Sequence, residues 1–305
     1  MDKLDERNTS HGQILASGAL LAAAMLWGLT YPLTKLIENY PTFLIIVVRF
    51  SSAALALLLF SLGRLKRMNW DTLKCAFLLS FFLTAMLVFN ILGIKYTTSV
   101  RASFFTSLSF LMVPLLNLIL FRVRLSAIVA KSALLCLVGI FLLCYTPGNA
   151  GLEINLGDLL CAAAAACGSL HILLVERVSK KEHIDSLLFT TFLMGFIALW
   201  GGILGGVSGG LHGPEMPMTD LGIMIILGVG CSATAYTLQA HFEAVVPANR
   251  VGILFALEPA SGCILSVLCL HEAMGITAWV GSAIIMASIL YMEAAANRAS
   301  VEKGE

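Results

Sequence analysis

Charged residues are scarce in this sequence of 305 residues. Lysine, arginine, aspartate and glutamate make up 12% of the chain, whereas they make up about a quarter of an ordinary soluble domain. Hydrophobic residues make up 59%, which excludes a soluble globular class and predicts an integral membrane protein. The formal net charge is only +1. Without a basic domain to neutralise phosphates, no nucleic-acid partner is expected.

Sequence motifs of ATPases and metalloproteases are missing. There is no phosphate-binding loop of the Gly-x-x-x-x-Gly-Lys-Ser/Thr type, so we do not expect the chain to hydrolyse ATP. His271-Glu272 lacks the second histidine of a His-Glu-x-x-His zinc site. The chain is therefore not expected to be an enzyme, although an intramembrane enzyme stays open as a minor alternative.

Paired cysteine spacings are absent too. All eight cysteines lie in apolar runs, where they are typical of small buried hydrophobic residues rather than disulfides or metal ligands; they are Cys75, Cys136, Cys144, Cys161, Cys167, Cys231, Cys263 and Cys269. We expect neither a metal nor a cofactor.

Long apolar runs divide the chain into candidate membrane spans. Charged and Pro/Gly-rich interruptions separate ten of them: 14–36, 41–62, 73–94, 98–121, 127–145, 156–175, 186–207, 220–242, 247–270 and 276–296. If the N-terminus is cytoplasmic, fourteen Lys and Arg residues fall on that side, and only Lys35, Lys95, Arg101 and Arg250 fall on the other. The positive-inside rule therefore predicts a multi-pass protein of the cell membrane with both termini cytoplasmic.

The chain contains an internal repeat. An offset of 149 residues aligns Asn90 with Gln239 and Arg101 with Arg250, so the third and fourth spans match the eighth and ninth without a gap. An offset of 140 residues aligns residues 27–31 with 167–171, although the sequence match there is weaker. Ten spans thus divide into five and five, and an odd number of crossings inverts the second half. We expect an all-α membrane protein in two inverted five-helix repeats, 14–147 and 148–297, flanked by cytoplasmic segments 1–13 and 298–305.

Glu258 is a carboxylate inside the apolar ninth span. A charge at this depth costs a few kcal/mol even on gentle scales, so it should face a partner or a water-filled cavity. Pro259 removes a backbone donor beside it and is expected to kink the helix. Glu258 is therefore a candidate for substrate binding or proton coupling. The alternative is a protonated carboxyl that bonds a neighbouring helix.

His171 is the second candidate for proton coupling. It lies midway along the sixth span and has an ordinary pKa near 6.5. Ionisable residues inside membrane spans are functional candidates by default, although a lone histidine is also commonly a structural residue. Its partner in the repeat alignment is Tyr31, which with Trp27 is expected to form an aromatic cavity wall suited to an amphiphilic or cationic substrate.

Two amides and a tyrosine complete the expected substrate site. Asn90 and Gln239 should lie at similar depth on opposite walls, where each offers donors and an acceptor to a polar substrate. The alternative is helix–helix hydrogen bonding. Tyr236 lies three residues before Gln239 and shares its helix face. Arg49 is interpreted as a structural cation, with an ion pair or backbone-carbonyl contact favoured over substrate binding.

Several short motifs in order resemble the drug/metabolite transporter superfamily, specifically its EamA-type ten-helix permeases. They are Trp27-Gly28 followed by Lys35, Arg49-Phe50, Gly139, and the stretch from Leu257-Glu258-Pro259 to His271-Glu272. The resemblance implies a metabolite carrier, often an exporter of amino acids or related molecules. The chain departs from the family pattern with Arg122-Val123-Arg124 at the end of the fourth span, and we expect Glu272 to be a helix-end residue or a partner of Arg122 or Arg124.

These features predict a secondary transporter that moves a small metabolite across the inner membrane by alternating access, with or without coupling to protons. Its expected partners are the small-molecule substrate and the lipid bilayer. An uncoupled facilitator is the nearest alternative, and a non-transporting membrane scaffold is a further one.

Overall fold

The computed structural model describes residues 2–122, 127–145, 153–179, 184–242, 246 and 254–302, and every regular element in these ranges is helical. The helices are α1 (Asp2–Leu36), α2 (Thr42–Ser61), α3 (Trp70–Tyr96), α4 (Ser99–Thr106), α5 (Ser109–Phe121), α6 (Ala127–Cys144), α7 (Leu156–Ser179), α8 (Ser186–Ser208), α9 (Met218–Ile225), α10 (Ala235–Phe242), α11 (Glu258–Leu270) and α12 (Ile276–Glu302). A 3₁₀ turn over Leu62–Arg67 extends α2, and a π-helix over Ile226–Thr234 joins α9 to α10. The predicted all-α fold class is confirmed.

Eight of the described helical stretches are long and apolar enough to cross a membrane. Two shorter apolar helices, Glu258–Leu270 and Ile276–Met292, stand where the ninth and tenth spans are predicted. Of the predicted ninth span, 247–270, the structure describes only 254–270. The chain is therefore a multi-pass membrane protein, and the full count of ten spans stays a prediction.

The fourth predicted span is broken rather than continuous. A turn at Ser107 and Leu108 separates α4 from α5, although the segment as a whole is long enough to span a membrane. Ser103 and Ser107 donate side-chain hydrogen bonds to the carbonyls of Val100 and Phe104 in their own helix. Such back-bonding competes with the backbone ladder and bends helices.

The ninth span is broken at the equivalent place. Its turn falls at Ala256 and Leu257, which are 149 residues after Ser107 and Leu108. Here Pro259 supplies the cause, because it cannot donate to the carbonyl four residues back. The expected disruption beside Glu258 is thus observed.

Backbone hydrogen bonds repeat at the same offset. Leu108 N donates to Phe105 O at 3.3 Å, and the equivalent Leu257 N donates to Leu254 O at 3.3 Å. Met112 N donates to Leu108 O at 2.9 Å, and the equivalent Ser261 N donates to Leu257 O at 3.0 Å. These matching bonds support the internal repeat that the sequence alignment predicts.

The equivalent fourth and ninth spans begin near opposite ends of α1. We call the end of the bundle where α1 finishes the distal end and the other the proximal end. The first residue of α4, Ser99, lies at the distal end, where its hydroxyl donates to Tyr31 O at 3.4 Å. Val246 and Leu254, which flank the ninth span's start, instead cluster with Ala16 and Leu20 near the proximal end. This arrangement supports inversion.

Inverted repeats place equivalent positions at opposite ends of the bundle. Arg101 and Arg250 occupy equivalent positions, whereas the charge count predicts that they share one side of the membrane, and no contact of Arg250 tests that prediction. Arg250 itself lies outside the described residues, as do Val123 and Arg124.

Glycines let several helices approach closely. Gly139 of α6 faces Gly281 of α12, and a Cβ on Gly139 would meet Gly281 O at 2.8 Å. Gly93 of α3 faces Gly157 of α7, where a Cβ on Gly93 would lie 3.0 Å from Gly157 O. Small residues at crossings are the usual means by which membrane helices pack.

A buried polar network ties the repeats together at the distal end. Asp158 at the start of α7 is 0% exposed. It forms an ion pair with Arg101 of α4 and accepts a hydrogen bond from Thr97 Oγ1 at 2.7 Å. Glu272 also contacts α4, accepting hydrogen bonds from the backbone nitrogens of Ser99 at 2.8 Å and Val100 at 3.1 Å. Glu272 therefore caps α4 and follows the end of α11, in agreement with the helix-end alternative. Its alternative pairing with Arg122 is not found among the described ion pairs, because Arg122 ends α5 at the opposite end of that span.

Candidate functional site

Glu258 is the first residue of α11 and follows the break at residues 256–257 directly. The break ends one helical run and starts another, so the carboxylate stands at a discontinuity rather than on a continuous helix face. Its side chain is half-buried. The hydroxyl of Tyr31 on α1 donates to Glu258 Oε1 at 3.1 Å. This hydrogen bond joins a residue of the first repeat to a residue of the second.

Close packing of α1 on α11 brings these two side chains together. Gly28 of α1 lies against the first turn of α11, where a Cβ would meet Ser261 Oγ at 2.0 Å and Gly262 N at 2.7 Å. Gly262 in turn packs against the ring of Tyr31, whose Cδ2 would lie 3.0 Å from an added Cβ. Glycine is needed at Gly28 because any side chain would separate the helices.

An aromatic cluster lies beside this carboxylate. Trp27 packs edge-on against Tyr236 of α10, with ring centroids 5.4 Å apart, and against Phe255 at 5.1 Å. The Trp27 ring nitrogen is buried and has no acceptor in the part of the chain that the structure describes. The structure therefore brings together four of the predicted site residues: Trp27, Tyr31, Tyr236 and Glu258.

Asn90 lies close to the same cluster. Its Nδ2 donates to Thr106 Oγ1 at 2.8 Å, and Thr106 lies beside the Tyr31 hydroxyl. No pattern in the sequence singles out Thr106, because small hydroxyl residues are common at the helix interfaces of membrane proteins. Gln239, the predicted counterpart of Asn90, is half-buried on α10, and no contact among the described residues joins the two amides.

His171 occupies a different environment. It is 8% exposed, and its Nδ1 lies 3.1 Å from the backbone oxygen of Leu79 on α3. The contacts described for it are with α3 and not with the Glu258 cluster. This placement favours the structural alternative for His171 over a role in direct contact with Glu258.

Arg49 is buried in the middle of α2, and its partner differs from the expected one. Its Nε donates to Ser232 Oγ at 2.9 Å, and none of the ion pairs found in the described chain includes it. Ser232 belongs to the π-helix, a rare form that occurs frequently at functional sites. No pattern in the sequence predicts this contact, because a π-helix has a different periodicity from an α-helix.

The π-helix approaches α2 closely beside Arg49. A Cβ on Gly228 would lie 2.0 Å from Ser52 Oγ and 2.2 Å from Arg49 O. Within the π-helix, Ser232 Oγ and Thr234 Oγ1 donate to the carbonyls five residues back, Leu227 and Val229. These bonds stabilise the wider turn and hold Ser232 against Arg49.

Enzyme-like features do not assemble in the described chain. No group of three or more His, Cys, Asp or Glu side chains is placed to hold a metal there. Residues 206–210 fit the pattern Gly-x-Ser-x-Gly, but they end helix α8 rather than follow a strand. Ser208 Oγ donates to Leu204 O at 2.7 Å, so the geometry of a nucleophile elbow is absent.

The model of the EamA-like transporter family matches residues 14–145 and 155–293, one match for each predicted repeat. The chain belongs to the EamA-like transporter family. An uncharacterized transporter of Archaeoglobus fulgidus is 23% identical over 288 residues, covering 91% of this chain and 85% of the relative. The uncharacterized transporter YetK of Bacillus subtilis is 26% identical over 291 residues, covering 91% of this chain and 86% of YetK.

A solved crystal structure shares the fold. It aligns with a TM-score of 0.65 at 20% identity and covers 94% of this chain and 99% of the other. Family membership makes this EamA-like chain a membrane protein of the transporter class. The cluster around Glu258 therefore lies in a molecule whose relatives are named as transporters.

Proposed function

We propose that this EamA-like protein is a secondary transporter that moves a small metabolite across the cell membrane by alternating access. The substrate is an amino acid or a related polar or amphiphilic compound, and the direction is export. Both termini are cytoplasmic, and residues 14–147 and 148–297 form the two five-helix repeats. The observation that carries the proposal is the hydrogen bond between Tyr31 of the first repeat and Glu258 of the second.

The position of this bond suits alternating access. Transporters with inverted repeats bind substrate near the midplane at the repeat interface, often where membrane helices are broken. Glu258 lies at such a break, and its partner belongs to the other repeat. A substrate that competes for Glu258 would separate α1 from α11, so binding and rearrangement are coupled through one contact.

The cluster offers two kinds of recognition. The carboxyl of Glu258 can bind a cationic group or exchange a proton, and the faces of Trp27 and Tyr236 attract cations and apolar groups. Asn90 and Gln239 supply amide donors and acceptors. His171 acts more weakly, by supporting the packing of α7 on α3.

Transport is tested by reconstituting the protein in liposomes and recording uptake of amino acids, quaternary amines and nucleosides with and without a pH gradient. We expect saturable uptake that the gradient accelerates. Saturable uptake with the same rate in the presence and absence of the pH gradient would instead favour the second candidate function, an uncoupled facilitator in which Glu258 only binds substrate. Uptake no faster than in protein-free liposomes would contradict both functions.

A further inference from the structure

Arg49 is a deeply buried cation inside a membrane span. It is the eighth residue of the twenty-residue helix α2, and only 6% of it is exposed. A guanidinium at this depth is costly, so its N–H groups need acceptors, and buried charges normally have charged partners.

The described residues provide hydrogen-bond partners for only some of the N–H groups of this guanidinium. The Nε–H is taken by Ser232, and the guanidinium carbon lies 5.1 Å from the centroid of the Phe50 ring. Within the described ranges, no carboxylate lies within ion-pair distance of Arg49, and no hydrogen bond from its two terminal nitrogens is found. Four N–H groups on those nitrogens are therefore available to a ligand.

The guanidinium lies against the segment that carries Tyr236 of the candidate site. Its partner Ser232 precedes Tyr236 by four residues, near the junction of the π-helix with α10. Tyr236 packs against the hydrophobic cluster that contains Phe50, the residue after Arg49, and its ring contacts Trp27. The Ser232 hydroxyl donates to Leu227 O at 3.0 Å and leaves a lone pair for Arg49.

We infer that Arg49 is a substrate-binding residue that recognises a carboxylate on the transported molecule. The inference rests on the proposed transport function and deepens it. A planar guanidinium binds a carboxylate through two parallel hydrogen bonds. A single cation, in a site that also contains the carboxyl of Glu258, suits a single negative charge better than a phosphate dianion.

The test compares acids with their primary amides, which have nearly the same shape but no charge. The probes are phenylalanine, leucine and 3-phenylpropionate, each beside its amide, and inorganic phosphate. Their binding to the purified full-length protein is measured by the rise in melting temperature with ligand concentration. We expect at least one acid to stabilise the wild type, and its amide and phosphate to do so at least tenfold more weakly.

Arg49→Gln is expected to weaken binding of that acid by about ten- to a hundredfold, the range for loss of a charge-assisted hydrogen bond. Binding of the amide should not change. Arg49→Lys keeps the charge but cannot form the two parallel hydrogen bonds of a guanidinium, so it should bind the acid with intermediate affinity. If Arg49→Gln does not fold, Arg49→Lys is the variant that tests the inference. Gly222→Ala, where an added Cβ meets nothing within 4 Å, is the control and should bind as the wild type does.

The inference is wrong if no acid stabilises the wild type, if acids and amides bind equally, or if either Arg49 variant keeps the wild-type preference for the acid. Transport separates this failure from that of the proposed function. Liposomes that carry acids and amides alike contradict only the role of Arg49, whereas liposomes that carry no solute contradict transport itself.

Discussion

Glu258 is the residue on which coupling is expected to depend. Glu258→Gln keeps the size and one acceptor of the side chain but cannot exchange a proton. We therefore predict that the variant folds with a melting temperature close to that of the wild type and loses the acceleration of uptake by a pH gradient. Uptake into liposomes with and without the gradient checks this.

The matched control is Glu215→Gln, which makes the same chemical change in an exposed connection after α8. It should keep the full response to the gradient. A Glu258→Gln variant that responds as strongly as Glu215→Gln would remove Glu258 from the coupling step.

His171 is expected to affect stability more than coupling. Its ring contacts the backbone of α3 through Leu79 O, so His171→Ala should lower the free energy of unfolding by about 1 kcal/mol through the lost hydrogen bond. Uptake should fall less than in Glu258→Gln and still respond to the gradient. Thermal melting and gradient-driven uptake check the two parts, and loss of the gradient response without loss of stability would return His171 to the coupling mechanism.

The sequence predicts some of the site residues well and others not at all. Glu258 is evident because a carboxylate in an apolar run is rare. Trp27 and Tyr31 are evident because they are four positions apart and therefore share a helix face. Ser232 and Asp158 give no such signal. Ser232 depends on the π-helix, and Asp158 stands near a span end, where a carboxylate is ordinary.

The packing of α1 on α11 is expected to leave no room for a side chain at Gly28. We predict that Gly28→Ala destabilises the protein by about 1–3 kcal/mol through overpacking and reduces uptake, because it displaces Tyr31 from Glu258. Gly18→Ala in the same helix is the control, since an added Cβ there meets nothing within 4 Å. Melting temperatures and initial uptake rates of the two variants should differ, and equal values would contradict the close approach.

Hydropathy located the helices but not their interruptions. The spans near residues 73–94 and 186–207 match α3 and α8 within a few residues, because long apolar runs between polar connections leave little choice in a bilayer. No sequence pattern predicts the turn at Ser107, since serine is common inside membrane helices. The π-helix has no such pattern either, because its wider turn does not change the hydropathy of the segment.

The ion pair between Asp158 and Arg101 is expected to hold the distal end of the bundle closed. They belong to different repeats, so alternating access requires their ion pair to break when that end opens. We predict that Asp158→Asn increases the rate at which a water-soluble maleimide modifies Cys144 and Cys161, which are 1% and 0% exposed. Mass spectrometry of the modified peptides measures both rates.

Asp185→Asn is the matched control, because Asp185 pairs with Arg64 at the proximal end, with 3.5 Å between Oδ2 and Nη1. It should leave the modification of Cys144 and Cys161 unchanged. If Asp158→Asn also leaves it unchanged, the ion pair does not hold the distal end closed.

The two-repeat plan is evident in the sequence, whereas the helix breaks that it relates are only partly evident. Pro259 predicts the disruption of the ninth span, and the offset of 149 residues relates the break at Ala256 to the one at Ser107, for which the fourth span has no proline. Inversion implies that Arg101 and Arg250 lie at opposite ends, whereas counting charges places them on one side. The contacts of Val246 and Leu254 with α1 favour inversion.

Proton-coupled transport through Glu258 is tested most directly by uptake into liposomes that contain either the wild type or Glu258→Gln, measured for the same panel of solutes under an imposed pH gradient. We expect saturable, gradient-accelerated uptake of at least one solute by the wild type and no gradient-accelerated uptake by the variant. Equal gradient-accelerated uptake by both proteins, or wild-type uptake no faster than in protein-free liposomes, would contradict it.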